Sequence, residues 1–345
     1  MNLNDYLKIL IDKRNLRQEE AEGLADILLE ENIDETIASA VLTALKMKGE
    51  TSDEIVGFAR SLRKHSLKIN YDNAIDIVGT GGDGLNTLNV STVVSILLSK
   101  YNPVAKHGNK AFSSKSGSAD FLETIGYNIN INPERAKELI EKYNYVFLFA
   151  QLYHKSMKNI APIRKKLGIR TIFNIIGPLT NPANVKRQII GVYPESYLDI
   201  IANAVKELKY DKIILVTGYP GIDEVSPIGK TKIIEIKQEK EEKYEISPED
   251  FNLKPVKISD IVVNNPEESA IKVLRASMGL DKSSETFIAI NAALGLYLLG
   301  IKDIKDGYEL SIELLRNLKE RLKEIVSSNG DINKLNKLMV MINGQ

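Results

Sequence analysis

The stretch Ala74-Ile75-Asp76-Ile77-Val78-Gly79-Thr80-Gly81-Gly82-Asp83-Gly84 decides the fold of this chain. It begins as a short apolar strand and becomes a glycine-rich loop. The next segment, Asn89-Val90-Ser91-Thr92, opens an apolar helix, and the basic turn Lys106-His107-Gly108-Asn109-Lys110 follows a short strand through Val104. Loop amides, hydroxyls at a helix start and a cation are the groups that hold a polyphosphate. The region therefore predicts a phosphate-binding site on a strand–loop–helix unit.

Short apolar strands alternate with helices on the carboxyl side of residue 74. Strands are predicted at residues 75–78, 146–149, 189–192 and 213–216. Asn132-Pro133-Glu134 and Asn265-Pro266-Glu267 predict helix starts, with Asn as the cap and Pro in the first turn. The alternation predicts an α/β domain with a mostly parallel central sheet flanked by helices. The charge-rich run 237–243 predicts a solvated hairpin tip.

The first 68 residues predict a small all-helical domain. Thr51-Ser52-Asp53-Glu54 is a capping box, and the apolar residues that follow it at helical spacing predict one buried stripe: Ile55, Phe58, Ala59 and Leu62. The polar segment 69–73 then predicts a linker. We expect a helical domain at 1–68, joined by a helical segment near 160–182, and an α/β donor-binding domain at 74–345.

Composition excludes several classes of protein. The 345-residue chain has 46 basic and 46 acidic residues, so no net charge attracts it to nucleic acid or an anionic membrane. It has no cysteine, which excludes disulfides, thiolate metal sites and cysteine nucleophiles. The long uncharged run 286–301 predicts a buried core helix rather than a membrane span. The segment Met1–Asp5 lacks the pattern of a secretory signal, and we expect a cytoplasmic protein.

The glycine loop has more than one interpretation. Gly79, Gly81 and Gly84 match G-x-G-x-x-G, but the helix begins only near Asn89 and no acidic residue follows at the ribose-binding distance. No Gly-Lys-Ser/Thr follows either, so this is not a P-loop. A purely structural turn is the alternative. Asp83 favours function, because a carboxylate near phosphate serves a sugar hydroxyl or a cation.

Three further segments favour an anion or metal site, each with an ordinary alternative. Asn89–Thr92 is a simple helix cap or a cap that also binds an anion, with Ser91 as a metal ligand. The serine-rich segment 113–120 is a flexible surface loop or a second anion-binding turn. Asp223-Glu224 is a solvated pair or, at the carboxyl end of a parallel strand beside a polyphosphate, a magnesium site. Arg164 alone would usually be a surface cation.

Six ordered motifs, spread over essentially the whole chain, resemble the anthranilate phosphoribosyltransferase family. They are Gly79–Asp83, Asn89–Thr92, Lys106–Asn109, Ser116–Asp120, Asn174–Pro182 and Asp223–Ser226. The resemblance implies transfer of phosphoribosyl from phosphoribosyl pyrophosphate to the amine of anthranilate, with release of pyrophosphate, in tryptophan biosynthesis. It also implies Mg²⁺, a homodimer, and a fold related to pyrimidine nucleoside phosphorylases. Pyrophosphate leaves readily, so no catalytic nucleophile or base is assigned.

The resemblance also implies roles for individual residues. The donor would be held by Gly79, Gly82, Asp83, Thr87, Asn89, Val90, Ser91, Thr92, Lys106, His107, Gly108, Lys110, Ala111, Phe112, Ser113, Ser114 and Ser118. Ser91, Asp223 and Glu224 would serve Mg²⁺. Asn109 and Arg164 would meet anthranilate, with Arg164 facing its carboxylate and Gly79 close to both substrates. Two positions depart from the family: Lys110 replaces the usual Arg, and Lys155 replaces the Pro that commonly follows His154.

Two other functions compete with this interpretation. A pyrimidine nucleoside phosphorylase would share the fold and the phosphate loop, but it should not need Asp223-Glu224 or Arg164. A catalytically silent relative could bind nucleic acid through the basic residues Arg60, Arg63, Lys64 and Lys68. The balanced net charge argues against the second alternative, and we expect neither a nucleic-acid nor a membrane partner.

Overall fold

The computed structural model describes residues 1–111 and 114–343. Within these ranges the α-helices are α1 (Leu3–Ile11), α2 (Gln18–Leu28), α3 (Glu35–Lys48), α4 (Ser52–His65), α5 (Val90–Leu98), α6 (Ser118–Thr124), α7 (Pro133–Tyr143), α8 (Ala150–Tyr153), α9 (Met157–Leu167), α10 (Phe173–Ile176), α11 (Leu198–Glu207), α12 (Pro266–Ser277), α13 (Lys282–Leu298), α14 (Gly307–Arg316), α15 (Leu318–Ser328) and α16 (Ile332–Asn343). The strands are β1 (Ile75–Gly79), β2 (Val104–Gly108), β3 (Tyr145–Phe149), β4 (Arg187–Gly191), β5 (Lys212–Gly218), β6 (Thr231–Lys237) and β7 (Lys240–Ile246).

The described strands form one seven-stranded sheet in the order β3-β2-β1-β4-β5-β6-β7. Strands β1 to β5 are parallel, whereas β6 and β7 pair antiparallel at one edge. The predicted fold class, a mostly parallel α/β sheet with a helical N-terminal domain, is confirmed. The chain moves from β1 outward to β3 and then returns to β4 on the other side of β1. Such a reversal of strand order places a crevice at the carboxyl ends of the strands, where open α/β sheets bind ligands.

The N-terminal helices pack as a bundle around the stripe predicted from the sequence. The capping box of α4 is present: the Thr51 amide donates to Glu54 Oε2 at 2.8 Å, and the Glu54 amide donates to Thr51 Oγ1 at 3.4 Å. The stripe behind it is buried. A later segment of the chain joins this bundle, because Ile163 of α9 and Phe173 of α10 share its apolar core. Phe58 and Phe173 meet edge to face with ring centroids 5.6 Å apart.

Capping residues set the helix starts in the α/β domain. Asn132 and Asn265 accept hydrogen bonds at 2.8 Å from the amides of Arg135 and Glu268, which confirms both predicted caps. Helix α13 contains most of the uncharged run and is largely buried. No helix in the described part of the chain is both long and apolar enough to cross a membrane.

The charged hairpin is as predicted, whereas the basic turn is not. Gln238 and Glu239 connect β6 to β7 with positive φ angles of 48° and 68°. The sequence predicts a basic turn from Lys106 to Lys110, but β2 continues through Gly108 and pairs in register with β3, so that Gly108 lies opposite Phe149. A lysine fits inside this central strand because its ammonium donates to the carbonyl of Ile77 at 2.7 Å. The prediction of a turn beginning at Lys106 is therefore wrong.

Candidate active site

The glycine loop that follows β1 is shaped by the acidic segment against it. Gly81, Gly82 and Gly84 have φ angles of 66°, 77° and 73°, a region that side chains disfavour. Gly79 has an ordinary φ, but a Cβ there would collide with the carboxylate of Asp223. The loop therefore needs glycine both for its turns and for close approach of the acid.

Three carboxylates converge beside this loop. One oxygen each from Asp83, Asp223 and Glu224 lies within 4.8 Å of the other two. Asp223 Oδ2 accepts a hydrogen bond from the Gly81 amide at 2.7 Å. Glu224 Oε2 is shielded from solvent and receives no hydrogen bond from the described residues. The sequence predicts the Asp223-Glu224 pair at this edge, but it assigns Asp83 to the donor rather than to the same acidic cluster.

The three carboxylates are at least partly buried and lie close together, and both burial and their mutual repulsion favour the protonated form. Burial, followed by the charge of Asp223, raises the pKa of Asp83 to about 6. Burial also raises the pKa of Asp223, and it raises the pKa of Glu224 well above its usual range with help from the two aspartates. Such a cluster of oxygen ligands, with one oxygen lacking a donor, fits a hard divalent cation such as Mg²⁺.

A buried asparagine in α13 holds the acidic segment in place. Asn291 accepts from the Val225 amide at 2.8 Å and donates to the Val225 carbonyl at 2.9 Å. Both backbone groups of the residue after Glu224 are thereby fixed. Asn291 lies 66 positions away from its partner in sequence, so local patterns do not reveal it.

The start of α5 lies next to the glycine loop. Val90 and Thr92 are buried, Ser91 is half-buried in the first turn, and Thr92 Oγ1 has no partner among the described residues. The sequence predicts Asn89 as a capping side chain, but it makes no capping hydrogen bond. Instead Asn89 Oδ1 accepts from Ser116 Oγ at 2.6 Å and from Ser269 Oγ at 2.8 Å. These bonds tie the serine-rich loop to the helix start.

Lys106 lies beneath the loop rather than on the surface. Its side chain is 1% exposed, and burial lowers its pKa against the opposing effect of Asp76 and the two acids after β5. Asp76 of β1 is itself fully buried and accepts from the His107 amide at 3.3 Å and from Asn181 Nδ2 at 2.8 Å. Burial raises the pKa of Asp76 to about 6 although Lys106 opposes the rise. The sequence does not reveal this acid, because it occupies an apolar strand.

The serine-rich loop folds back onto the end of β2. Asp120 of α6 accepts from the amides of Ala111 at 2.7 Å and Gly117 at 3.0 Å. Ser118 Oγ donates to the Asn109 carbonyl at 3.2 Å. A Cβ on Gly117 would collide with the backbone at Ala111. The two segments that the sequence predicts as anion-binding turns therefore form one packed unit.

The remaining donor residues predicted from the sequence lie around this unit. Gly108 ends β2 against Ser118, since a Cβ there would collide with Ser118 Oγ. Ser114 is half-buried, and Thr87 pairs with Val262 in an isolated bridge. Lys110 forms an ion pair with Glu123 at 2.9 Å on the surface of α6. Phe112 and Ser113 lie outside the described residues.

Arg164 is a half-buried cation without a carboxylate partner in the described part of the chain. Burial lowers its pKa to about 10, and its guanidinium lies 5.5 Å from the ring centroid of Phe173. Asn109 Oδ1 accepts from the Lys110 amide at 2.9 Å and from Gln151 Nε2 at 3.2 Å. These groups suit a ligand that carries a negative charge and forms hydrogen bonds with a side-chain amide.

Two neutral imidazoles lie close to the end of β2. The rings of His107 and His154 have centroids 5.2 Å apart. Burial lowers the pKa of His107 well below its usual value, and it lowers that of His154 to about 4. Both rings are therefore uncharged at neutral pH. The two rings therefore add an uncharged aromatic surface at the end of β2.

Arg170 is a second arginine at the site that sequence patterns do not reveal. It follows α9 and donates to the carbonyl of Gly81 at 2.8 Å and to that of Tyr193 at 3.2 Å. Its guanidinium also covers the Tyr193 ring at 5.5 Å. The only local signal is a cation six positions after Arg164, and such a spacing is common on solvent-exposed segments.

Comparisons with known proteins agree on one family. Residues 4–66 match the model of the glycosyl transferase family helical bundle domain, and residues 71–319 match that of the glycosyl transferase family a/b domain. The chain is 54% identical over 347 residues to an anthranilate phosphoribosyltransferase of Saccharolobus islandicus, with all of both chains covered. It is 52% identical, again over the full length of both, to the enzyme of that name from Saccharolobus solfataricus.

Solved structures with this fold carry the same name. The crystal structure of the Thermus thermophilus anthranilate phosphoribosyltransferase has a TM-score of 0.86 and 34% identity, covering 94% of this chain and 99% of the other. The Saccharomyces cerevisiae enzyme, in complex with phosphoribosyl pyrophosphate and Mg, has a TM-score of 0.85 and 29% identity, covering 94% and 97%. Another structure of the yeast enzyme contains 4-fluoroanthranilate.

Proposed function

This chain belongs to the anthranilate phosphoribosyltransferase family, and we propose that it transfers phosphoribosyl from phosphoribosyl pyrophosphate to the amine of anthranilate, releasing pyrophosphate in tryptophan biosynthesis. One observation carries the proposal beyond family membership: three carboxylates crowd beside the glycine loop, and one of their oxygens has no donor in the described chain. A purely structural turn gives no reason for that arrangement. A magnesium-bound pyrophosphate does.

The donor would lie along the glycine loop, the start of α5 and the packed serine unit. Asp223 and Glu224, with Ser91, would hold Mg²⁺, and Asp83 is close enough to take part. Bound there, Mg²⁺ would neutralise charge on the pyrophosphate. The raised pKa values of the acids support this assignment, because a cation would relieve their mutual repulsion. The yeast relative provides the precedent, since it was solved with phosphoribosyl pyrophosphate and Mg.

Anthranilate would bind between α9 and the end of β2. Arg164 would face its carboxylate, which explains a half-buried guanidinium without an acidic partner among the described residues. The side-chain oxygen of Asn109 already accepts hydrogen bonds from the Lys110 amide and Gln151 Nε2, so its side-chain NH2 group would donate to the ligand. The uncharged imidazoles of His107 and His154 would line an aromatic pocket without competing for the carboxylate.

The chemistry needs position and charge rather than a protein nucleophile. Pyrophosphate leaves readily, and the acceptor is a neutral aromatic amine, so the chain must hold the amine in line with the ribose carbon and stabilise the leaving group. We expect inversion at that carbon through an oxocarbenium-like transition state, and we assign no general base. Arg164 comes from a segment packed on the helical bundle, whereas the donor loop belongs to the sheet. Closure between these two parts would exclude water that would otherwise hydrolyse the donor.

We also propose that the protein is a cytoplasmic homodimer. Ile11 at the end of α1 is 64% exposed and Met47 in α3 is 83% exposed, although α1 and α3 pack together. Exposed apolar side chains on neighbouring helices favour burial against a second copy. Sedimentation analysis should find a dimer, and a stable monomer at micromolar concentration would remove this part of the proposal.

The loss of anthranilate fluorescence tests the proposed function. Fluorescence should fall only when phosphoribosyl pyrophosphate and Mg²⁺ are both supplied, and inorganic pyrophosphate should appear in equal amount. No fluorescence loss with both present, together with phosphorolysis of thymidine, would contradict the proposal and favour the phosphorylase alternative.

A further inference from the structure

The segment between α9 and α10 sends one side chain into the donor loop. Arg170 lies six residues after Arg164 and reaches two backbone carbonyls with its two terminal nitrogens, those of Gly81 and Tyr193. The second carbonyl belongs to the turn that follows β4, the strand beside β1. The guanidinium therefore bridges the ends of two central strands from outside the sheet.

The bridge fixes the orientation of one peptide group in the loop. The bond between Gly81 and Gly82 is trans, so the Gly81 carbonyl and the Gly82 amide point in opposite directions. Because Arg170 donates a hydrogen bond to the Gly81 carbonyl, the Gly82 amide points away from Arg170. That amide makes no hydrogen bond with the part of the chain that the structure describes. It is consequently a donor held ready for a ligand.

Close packing confirms that this contact shapes the loop. A Cβ on Gly82 would collide with the guanidinium of Arg170, so a larger residue at position 82 would displace the arginine from the loop. Tyr193 is tied to the same loop, because its amide donates to Thr80 Oγ1 at 2.9 Å. The Gly81 amide is held separately by Asp223 at 2.7 Å. Each polar group of Gly81 thus has a fixed partner, one of them a proposed metal ligand.

We propose that Arg170 is a positioning residue for the phosphoribosyl donor, which keeps the Gly82 amide directed at the donor's phosphates. This inference rests on the proposed function and extends it to a residue that family motifs did not assign. A planar guanidinium can donate to both carbonyls at once, whereas a lysine ammonium does not present two donors fixed in one plane. In this arrangement Arg164, the proposed anthranilate residue, and Arg170, which contacts the donor loop, lie only six positions apart in sequence.

Replacement of Arg170 tests the proposal against a matched arginine. Arg187 also donates to a backbone carbonyl, that of Asn73 at 3.3 Å, but it lies at the amino end of β4, away from the loop. Arg170→Gln should raise the KM for the donor about ten- to hundredfold, the effect of losing a charge-assisted hydrogen bond, and should leave the KM for anthranilate nearly unchanged. Arg170→Lys should recover part of the donor affinity. Arg187→Gln should behave as the wild type.

Calorimetry with donor and Mg²⁺, without anthranilate, separates this inference from the proposed acceptor. Weaker donor binding in Arg170→Gln supports a positioning role even if anthranilate proves not to be the acceptor. Unchanged donor binding in a folded Arg170→Gln protein would overturn the inference. Equal increases in the KM values for the donor and for anthranilate would also overturn it. The same holds for an Arg170→Lys protein that has a lowered unfolding temperature but full donor affinity.

Discussion

The helical bundle and the edge of the sheet each contain buried acidic residues, but the two sites differ in how many hydrogen-bond donors surround the carboxylates. Glu54 of α4 is completely buried and accepts hydrogen bonds from the amides of Leu16 at 3.0 Å and Thr51 at 2.8 Å, and from Lys48 Nζ at 2.9 Å. The pair Asp223-Glu224 instead faces a third acid, and an oxygen of Glu224 has no donor in the described chain. The first arrangement stabilises the protein, whereas the second lowers its stability because the carboxylates have no counter-charge.

The contrast distinguishes buried charges that stabilise the fold from buried charges that suit a ligand. A buried acid with its donors in place orders the elements around it, as Glu54 joins α4 to the last residue of α3 and to Leu16, which lies between α1 and α2. An acid cluster whose pKa values are raised, and in which one oxygen accepts no hydrogen bond from the described residues, lowers the stability of the folded protein. Such a cluster indicates function even without a bound ligand.

The largest effect should follow removal of the satisfied acid. Glu54→Ala leaves Lys48, whose side chain is 3% exposed, without its carboxylate, and it should cost about 3–5 kcal/mol in the free energy of unfolding. Glu35→Ala is the control, because its pair with Lys166 has both side chains largely exposed, and its removal should cost less than about 1 kcal/mol. Urea unfolding measures both. Equal effects would mean that Glu54 is not a structural acid.

Removal of the unsatisfied pair should affect activity instead. Asp223→Ala combined with Glu224→Ala should lower the turnover of donor about 10²- to 10³-fold and change the magnesium dependence, because a pyrophosphate leaving group loses its counter-charge. Glu245→Ala, an exposed acid of the β7 hairpin, is the control and should leave the magnesium titration as in the wild type. An unaltered titration in the double variant would count against the metal role.

Arg164 offers a test on the acceptor side. Arg164→Ala should raise the KM for anthranilate by about tenfold or more, since a carboxylate loses a charge-assisted partner, while the donor KM changes little. The control is Lys165→Ala, which removes an exposed cation from the same helix. Steady-state kinetics with each substrate varied in turn measures the split. Equal changes for the two substrates would contradict the assignment.

The smallest effect is a gain in stability and has a definite pH dependence. Glu224→Gln removes a charge from the acid cluster, so the metal-free variant should be more stable than the wild type by about 1–2 kcal/mol near neutral pH. The pKa values of these acids are raised on folding, so the folded wild type binds more protons than the unfolded chain and loses stability as pH rises from about 4 through 6 and above. The advantage of Glu224→Gln should therefore shrink as pH falls toward 4.

Thermal unfolding in the presence of a chelator, repeated at several pH values, measures this difference. Added Mg²⁺ should reduce the advantage of Glu224→Gln by stabilising only the wild type. An advantage that is the same at every pH, or a variant less stable than the wild type at neutral pH, would show that the acid cluster carries no electrostatic strain.

Local sequence patterns predict the elements of this fold and the position of the acid pair. Capping residues such as Thr51, Asn132 and Asn265 act within one helical turn, so their effects can be derived from neighbouring residues. The acid pair is predicted because parallel strands present their carboxyl ends at one edge. Both inferences need only local spacing and a general rule of sheet topology.

The remaining features depend on partners that are distant in sequence. Asn89 resembles an ordinary cap, but its partners Ser116 and Ser269 lie 27 and 180 positions away. The sequence places Lys106 in a basic turn, because the strand carbonyl and Asp76 that accommodate it inside β2 cannot be identified from neighbouring residues. Arg170 belongs to no local pattern at all. Its role depends on two carbonyls, 89 and 23 positions away, that only the folded sheet places side by side.

A crystal grown with phosphoribosyl pyrophosphate and Mn²⁺ in place of Mg²⁺ tests the central claim most directly, because both ions prefer octahedral oxygen ligands and Mn²⁺ scatters anomalously. We expect an anomalous peak between the pyrophosphate and the carboxylates of Asp223 and Glu224, with the glycine loop in contact with the phosphates. A manganese ion and donor bound elsewhere, with these acids still unliganded, would contradict it.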